Sequence, residues 1–298
     1  MLQILAEIPR TMSAGFEDKL MEMVVPSWTI REDRIRHLCD LIGYFDVEEE
    51  GLKSYATIRE KFPQLPEHPA VSPVLDRNWK DAYKEHFRPW STGGLHWVPM
   101  WLKDKYPLPA GEKAIYLDPG MAFGTGNHET TRLCAIRLIE AAKVWGYRIA
   151  DRSVIDAGCG SGILAISAVK LGFGSVTGFD IDASAVQIAA ENADANDMAR
   201  AITFSINGLE KGLADKQADV VLANILANVL TQYADVLVKA VAPGGRLVLS
   251  GILAAEVGDV KSVFEPRANA LWKACDLRSR IDGEWADIVI SRPDVKKS

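Results

Sequence analysis

The stretch Val154–Gly172, "VIDAGCGSGILAISAVKLG", decides the fold. Its opening residues form a short apolar run that reads as a buried strand ending at Asp156, and its closing residues form a helix from Ile163 to Leu171. Between them Gly158, Gly160 and Gly162 supply a turn whose backbone can approach a ligand where a Cβ would stand in the way. A strand, a glycine turn and a helix at the carboxyl edge of a parallel sheet make a nucleotide-type cradle. The dinucleotide fingerprint needs its third glycine at position 163, which here is Ile163, so a dehydrogenase is disfavoured.

Downstream the alternation continues. "SVTGFD", the helical "ASAVQIAAENADAN", "AITFS", "ADVVLANIL", a helix running to Ala240 and "GRLVLSG" follow in turn. This order implies an α/β, doubly wound, Rossmann-like domain with a mostly parallel sheet covered on both faces. The end of the chain differs. "ALWKACDL" and "WADIVISR" read as strands around a turn at Asp282 and Gly283, so the last strand is expected to run antiparallel to its predecessor.

Two further strand ends carry chemistry. Asp180 closes "SVTGFD", placed to accept hydrogen bonds from two ribose hydroxyls, and ribose without pyrophosphate is what S-adenosylmethionine presents. An acidic residue here also serves as a helix cap, a role open equally to Asp182 and Ser184. Asn224 ends the apolar "DVVLAN", where its amide can accept a hydrogen bond from a substrate amine or hold the methionine end of a cofactor. Many amino-methyltransferases carry Asn-Pro-Pro-aromatic at this point. Here Asn224 is followed by Ile225, Leu226 and Ala227, with no aromatic platform for a flat base.

Upstream, "DPGMAFGTGNHETT" (Asp118–Thr131) reads as a ligand-facing loop whose Gly124 and Gly126 permit close approach, with Thr130 or Thr131 capping a helix over Arg132–Ala142. The first 76 residues form a separate pattern: a strand at Leu2–Ile8, a helix at Ala14–Val24, two strands within Trp28–Phe45, a helix at Glu48–Phe62 and an edge strand in "AVSPVL". That is the ferredoxin-like α+β order. The domains are therefore expected at 1–76 and 101–298, with residues 77–100 as a linker whose tryptophans, Trp79, Trp90 and Trp97, together with Trp101, pack against the catalytic domain.

The whole chain of 298 residues has 48% hydrophobic and 25% charged residues, a globular composition, and its net charge of -6 argues against general nucleic-acid or DNA binding. The cysteines Cys39, Cys134, Cys159 and Cys275 lack C-x-x-C spacing, and His37, His68, His86 and His96 are scattered, so neither disulfides nor a metal site is expected. "MLQILAEIPR" has no basic n-region and no apolar run is of membrane length, which makes a cytoplasmic protein the expectation.

Taken together, "NWKDAYKEHFRPW", "DPGMAFGTGNHETT", "VIDAGCGSGILAI", "GFDIDASAV" and "VVLANILA" are specific, and over nearly its full length the chain resembles the bacterial ribosomal protein L-eleven methyltransferases. The resemblance implies a seven-stranded, S-adenosylmethionine-dependent protein methyltransferase with an amino-terminal ferredoxin-like substrate-recognition domain. It also implies that Thr131, Gly158, Asp180 and Asn224 occupy cofactor-binding positions, and that Phe123, Gly124, Thr125 and Gly126 cover the methionine moiety. Asp156, Gly160, Gly162 and Ile181 complete the expected cofactor site. Where the family usually has Thr-His-Pro-Thr-Thr, this chain has Asn127, His128, Glu129, Thr130 and Thr131, and its amino-terminal region matches least well.

Methyl transfer to an amine is an in-line displacement in which positioning does most of the work. A lysine with a pKa of roughly 10.4 must first lose its proton, at a cost of about 4 kcal/mol near neutral pH. Asn224 and backbone carbonyls favour the neutral amine; His128 is a candidate proton acceptor, though a histidine in a turn commonly has a structural role. The expected substrate is ribosomal protein L-eleven, at lysine side chains and the α-amine, acted on by a monomer. Alternatives are another protein such as the electron transfer flavoprotein β subunit, a small molecule, or a non-catalytic binding module. The intact Gly158, Gly160, Gly162, Asp180 and Asn224 weigh against the module.

Overall fold

A computed structural model describes residues 2–8, 28–33, 38–73, 88–117 and 129–294. The chain divides into two compact units, Met1–His86 and Phe87–Ser298.

The amino-terminal unit contains β1 (Leu2–Glu7), β2 (Trp28–Asp33), β3 (Leu38–Phe45), α1 (Glu48–Lys61) and β4 (Ala70–Pro73). Its four strands lie in the order β2-β3-β1-β4 and every pairing is antiparallel. Ile4 and Ala6 alternate inward along β1 and meet Leu41 of β3, while Tyr55 and Ile58, three residues apart on α1, cover them. Three glutamates in the first turn of α1 and Arg59 and Lys61 in its last suit the helix dipole. The helix expected over Ala14–Val24 falls outside the described residues.

The carboxyl-terminal unit begins with β5 (Trp90–Thr92), β6 (Leu95–Pro99) and β7 (Lys113–Leu117), a three-stranded sheet in that order. There follow α2 (Glu129–Trp145), β8 (Ser153–Ala157), α3 (Ile163–Leu171), β9 (Ser175–Asp180), α4 (Ala183–Ala195), β10 (Ile202–Ile206) and α5 (Leu209–Leu213). The remainder is β11 (Ala218–Asn224), α6 (Ala227–Gln232), α7 (Ala234–Lys239), β12 (Val241–Leu253), α8 (Val257–Trp272), β13 (Asp276–Asp282) and β14 (Trp285–Ser291).

The large sheet runs β10-β9-β8-β11-β12-β14-β13. The first five strands pair in parallel; β14 is antiparallel to both of its neighbours. Chain order moves outward from β8 through β9 to β10, then returns to the other side of β8 with β11. The carboxyl ends of β8 and β11 therefore flank the switch point, where such sheets open a crevice. Alternate residues of β11 enter opposite cores: Val220 and Leu222 pack with α2 and α3, whereas Val221 and Ala223 pack with α6, α7 and α8. Burial on both faces is why this strand reads as a continuous apolar run.

Three local expectations change. Within the expected linker, residues 90–92 and 95–99 are strands; all of Leu95–Pro99 is buried, Trp97 stacks on Trp90 with ring centroids 3.9 Å apart, and Trp97 Nε1 donates to Ser167 Oγ at 3.0 Å. Trp97 belongs to the core and the partly buried Trp90 packs against it, so both pack on the catalytic domain as expected, but their segments are strands that pair with one another and, through β6, with β7. The strand expected in "ALWKACDL" instead includes the end of α8, which reaches Trp272 and stops at Lys273 with φ of +66°; β13 starts only at Asp276. The helix expected to reach Ala240 is interrupted at Tyr233, which separates α6 from α7. The antiparallel β13–β14 hairpin turns, as expected, around Gly283.

Candidate functional site

The glycine turn after β8 is built around left-handed backbone. Gly158, Gly160 and Gly162 have φ of +77°, +50° and +77°, a region where a side chain is strained. A Cβ on Gly158 would lie 2.6 Å from Ile225 Cγ2, and one on Gly162 would lie 2.9 Å from Ala189 Cβ. Gly158 and Cys159 each donate their N–H to Phe179 O at 2.9 Å, which binds the turn to the end of β9.

Beneath the turn Asp156 is buried, and its Oδ2 accepts the Ala165 N–H at 3.0 Å in the first turn of α3. Burial pushes this carboxyl up to about 7; the hydrogen bond from Ala165 opposes that rise and the charge of Asp180 adds to it.

Asp180 and Asp182 divide their tasks. Asp180 accepts the Gly160 N–H through Oδ2 at 2.9 Å and the Asp182 N–H through Oδ1 at 3.1 Å. Asp182 is the helix cap, accepting the Ser184 N–H at 2.8 Å. Asp180 is thereby held at the edge of the sheet with lone pairs on both oxygens left over.

At the end of β11, Asn224 Nδ2 donates to Thr131 Oγ1 over a long 3.5 Å. Its Oδ1 is buried and has no hydrogen-bond partner among the described residues. Thr130 and Thr131 do not cap α2 as expected, because that helix already starts at Glu129 and both threonines are buried within its first turn. Ser250 Oγ fixes this turn to β12 by donating to Thr130 O at 3.1 Å.

These elements border a cavity of about 670 Å³, of a size suited to a small-molecule ligand. Gly158, Gly160, Asp180 and Ile181 form one part of its wall; Asn224, Ile225, Leu226 and Tyr233 form another. Ile181 is 80% exposed, a large apolar side chain left in water at the edge of the site. Of the residues expected from sequence, Gly158, Gly160, Asp180, Ile181 and Asn224 line the cavity; Asp156, Gly162 and Thr131 support it from behind. Phe123, Gly124, Thr125, Gly126 and His128 lie outside the described residues.

Sequence reasoning missed Asn207, Gly208, Gly251, Tyr233 and Trp285, all of which border the cavity. Asn207 and Gly208 carried a signal, a polar-glycine pair at the end of a third parallel strand on the same edge; the Asn207 N–H donates to Asp180 O at 2.9 Å. Tyr233 and Trp285 carried none, since an aromatic residue beside an apolar run reads as core. Among the described residues no group of three His, Cys, Asp or Glu side chains is placed to hold a metal, and no helix is long and apolar enough to cross a membrane.

The chain matches known proteins along most of its length. A family model described as "Ribosomal protein L11 methyltransferase (PrmA)" matches residues 2–293. The ribosomal protein L11 methyltransferase of Azotobacter vinelandii is 37% identical over 281 residues, covering 89% of this chain and 91% of that one. That of Methylococcus capsulatus is 44% identical over 192 residues, or 64% and 61% of the two chains. Among solved structures, ribosomal protein L11 methylase from Lactobacillus delbrueckii subsp. bulgaricus aligns with a TM-score of 0.58 at 32% identity, covering 70% of this chain and 100% of that one.

Proposed function

The chain belongs to the ribosomal protein L11 methyltransferase family, and from this premise we propose that its cavity binds S-adenosylmethionine and presents it to amines of ribosomal protein L11. The observation that carries the reading is Asn224 Oδ1, a buried acceptor without a partner among the described residues, beside a glycine turn and the Asp180 carboxylate. A buried acceptor left unpaired costs free energy, and an incoming N–H removes that cost.

The residues fit the cofactor. Gly158 and Gly160 let backbone approach it, Asp180 offers its remaining lone pairs to two ribose hydroxyls, and Ile181 supplies an apolar surface for the base. When bound, S-adenosylmethionine supplies an electrophilic methyl group on a sulfonium. Asn224 accepts an N–H of the neutral substrate amine and so orients its lone pair; Thr131 holds the opposite end of the Asn224 amide. Phe123, Gly124, Thr125 and Gly126 are assigned to the methionine end, with Asn224 and His128 as the groups nearest the chemistry.

The amino-terminal four-stranded unit is assigned to protein recognition as a ferredoxin-like domain, since a small molecule needs no separate docking surface. We place the enzyme in the cytoplasm as a monomer; its net charge of -6 supports a protein rather than a DNA partner.

Calorimetric titration tests the cofactor assignment. S-adenosylmethionine should bind with one-to-one stoichiometry while NAD gives no heat of binding. Failure of S-adenosylmethionine to bind the native protein would overturn the reading.

A further inference from the structure

Two buried asparagines one helical turn apart, Asn192 and Asn196, connect the glycine turn to the three-stranded sheet. Asn192 lies on α4 and is 5% exposed; its Nδ2 donates to Ser161 O, inside the turn, at 2.9 Å. Asn196, 4% exposed, ends the same helix. Its carboxamide behaves as a strand partner for Tyr116 of β7: Oδ1 accepts the Tyr116 N–H at 2.8 Å and Nδ2 donates to Tyr116 O at 2.6 Å. The same Nδ2 donates to Asn192 O at 2.8 Å, which closes the chain of contacts. Among the described residues β7 is the outer strand of its sheet, so these bonds serve backbone groups on its unpaired side.

We propose that Asn192 and Asn196 are positioning residues for cofactor binding: together they fix the Gly160–Gly162 turn at the height set by β7. The inference rests on the assignment of the cavity to S-adenosylmethionine. Neither residue lines the cavity, so any effect on the cofactor must pass through the turn. The spacing is what the task requires. Residues four apart on a helix share one face, and here that face carries Asn192 to the turn and Asn196 to the strand. Ala189, a further turn back on the same face, packs against Gly162. Two amides in a dry contact fix direction as well as distance, because each has donors and acceptors on opposite arms.

The test compares native enzyme with Asn192→Ala, Asn196→Ala and the double variant. Calorimetry reads the dissociation constant for S-adenosylmethionine, steady-state kinetics read kcat and both KM values, and amide hydrogen exchange reads protection at residues 159–162. Each single variant should raise the dissociation constant about tenfold, because either one releases the turn from the same tether to β7. At saturating cofactor kcat should stay within about twofold, and exchange should speed up at 159–162. The double variant should lose less affinity than the product of the two single losses, the mark of groups that act as a unit. If Asn192→Ala does not fold, Asn196→Ala, which leaves the bond to Ser161 O in place, decides alone. Lower melting temperature with unchanged cofactor affinity would overturn the proposal and leave both asparagines as helix-end structure. Absence of cofactor binding by the native enzyme would overturn the assignment of the cavity itself, a separate outcome.

Discussion

Asp180 Oδ2 accepts the Gly160 N–H at 2.9 Å, so the acidic residue ending β9 holds the glycine turn that follows β8. The carboxylate thus shapes the cradle itself. Asp180→Ala removes the acceptor for Gly160 and Asp182 as well as the proposed contacts to the ribose. The loss of several charge-assisted bonds should weaken S-adenosylmethionine binding by about 100-fold or more, measured by calorimetry. Asp180→Asn keeps one acceptor oxygen and should lose less. Native affinity in Asp180→Ala would contradict the role given to this residue.

Gly158→Ala tests the turn itself. The substitution forces a side chain into a φ of +77° and sets its Cβ 2.6 Å from Ile225 Cγ2. Thermal stability should fall by about 1–3 kcal/mol and cofactor affinity with it. Adding Ile225→Ala removes the contact but not the backbone strain, so it should restore only part of each loss.

Asn224→Leu keeps the approximate volume and removes the unpartnered Oδ1. If that oxygen receives the substrate amine, kcat should fall by about 100-fold, the range for loss of one aligned polar group. The dissociation constant for S-adenosylmethionine should change far less than kcat. An equal loss in both would move Asn224 from the amine to the cofactor.

Asp156 predicts a pH dependence of stability. Its folded-state value near 7 lies above the unfolded value of about 3.9. The folded protein therefore keeps a proton that the unfolded chain has released, and stability falls as pH rises between about 4 and about 7. Below that window this group costs nothing, and above it the loss is complete. Asp156→Asn retains an acceptor for the Ala165 N–H and cannot ionise. Its urea midpoint, relative to native protein, should climb through that window; a constant difference from pH 4 to pH 8 would contradict the account.

A second buried charge lies away from the cavity. Arg137 of α2 grips Asp287 of β14 through two bonds, Nε to Oδ2 at 2.8 Å and Nη2 to Oδ1 at 2.6 Å, and Asp287 is fully buried. Arg137→Met strands that carboxylate and should cost about 3–5 kcal/mol in denaturant unfolding. Removing both charges should cost less than the two single losses added together.

The catalytic sheet was legible because its signals are local. The strand Ser153–Ala157 and the helix Ile163–Leu171 run directly into Gly158 and Gly172, and the strand Ser175–Asp180 closes on an acidic residue, so each element end is marked in the sequence. Residues 90–99 were harder, since their strands are fixed by partners distant in sequence, β7 for Leu95–Pro99 and Ser167, seventy residues away, for Trp97. "ALWKACDL" misled because an apolar helix end and a strand start are alike over so few residues. In the site, Gly158, Gly160, Asp180 and Asn224 could be read from strand ends, but Tyr233 and Trp285 reach the cavity only through tertiary packing. Which of Asp180, Asp182 and Ser184 caps α4 was likewise open in the sequence; the Ser184 N–H bond to Asp182 assigns the cap to Asp182.

The most direct test of the central claim is mass spectrometry of purified ribosomal protein L11 after incubation with this enzyme and S-adenosylmethionine, beside the Asp180→Ala variant. The account predicts mass gains in steps of one methyl group with the native enzyme and a strongly reduced gain with the variant. An unmodified substrate, under conditions in which the native enzyme binds S-adenosylmethionine, would contradict L11 as the protein on which it acts.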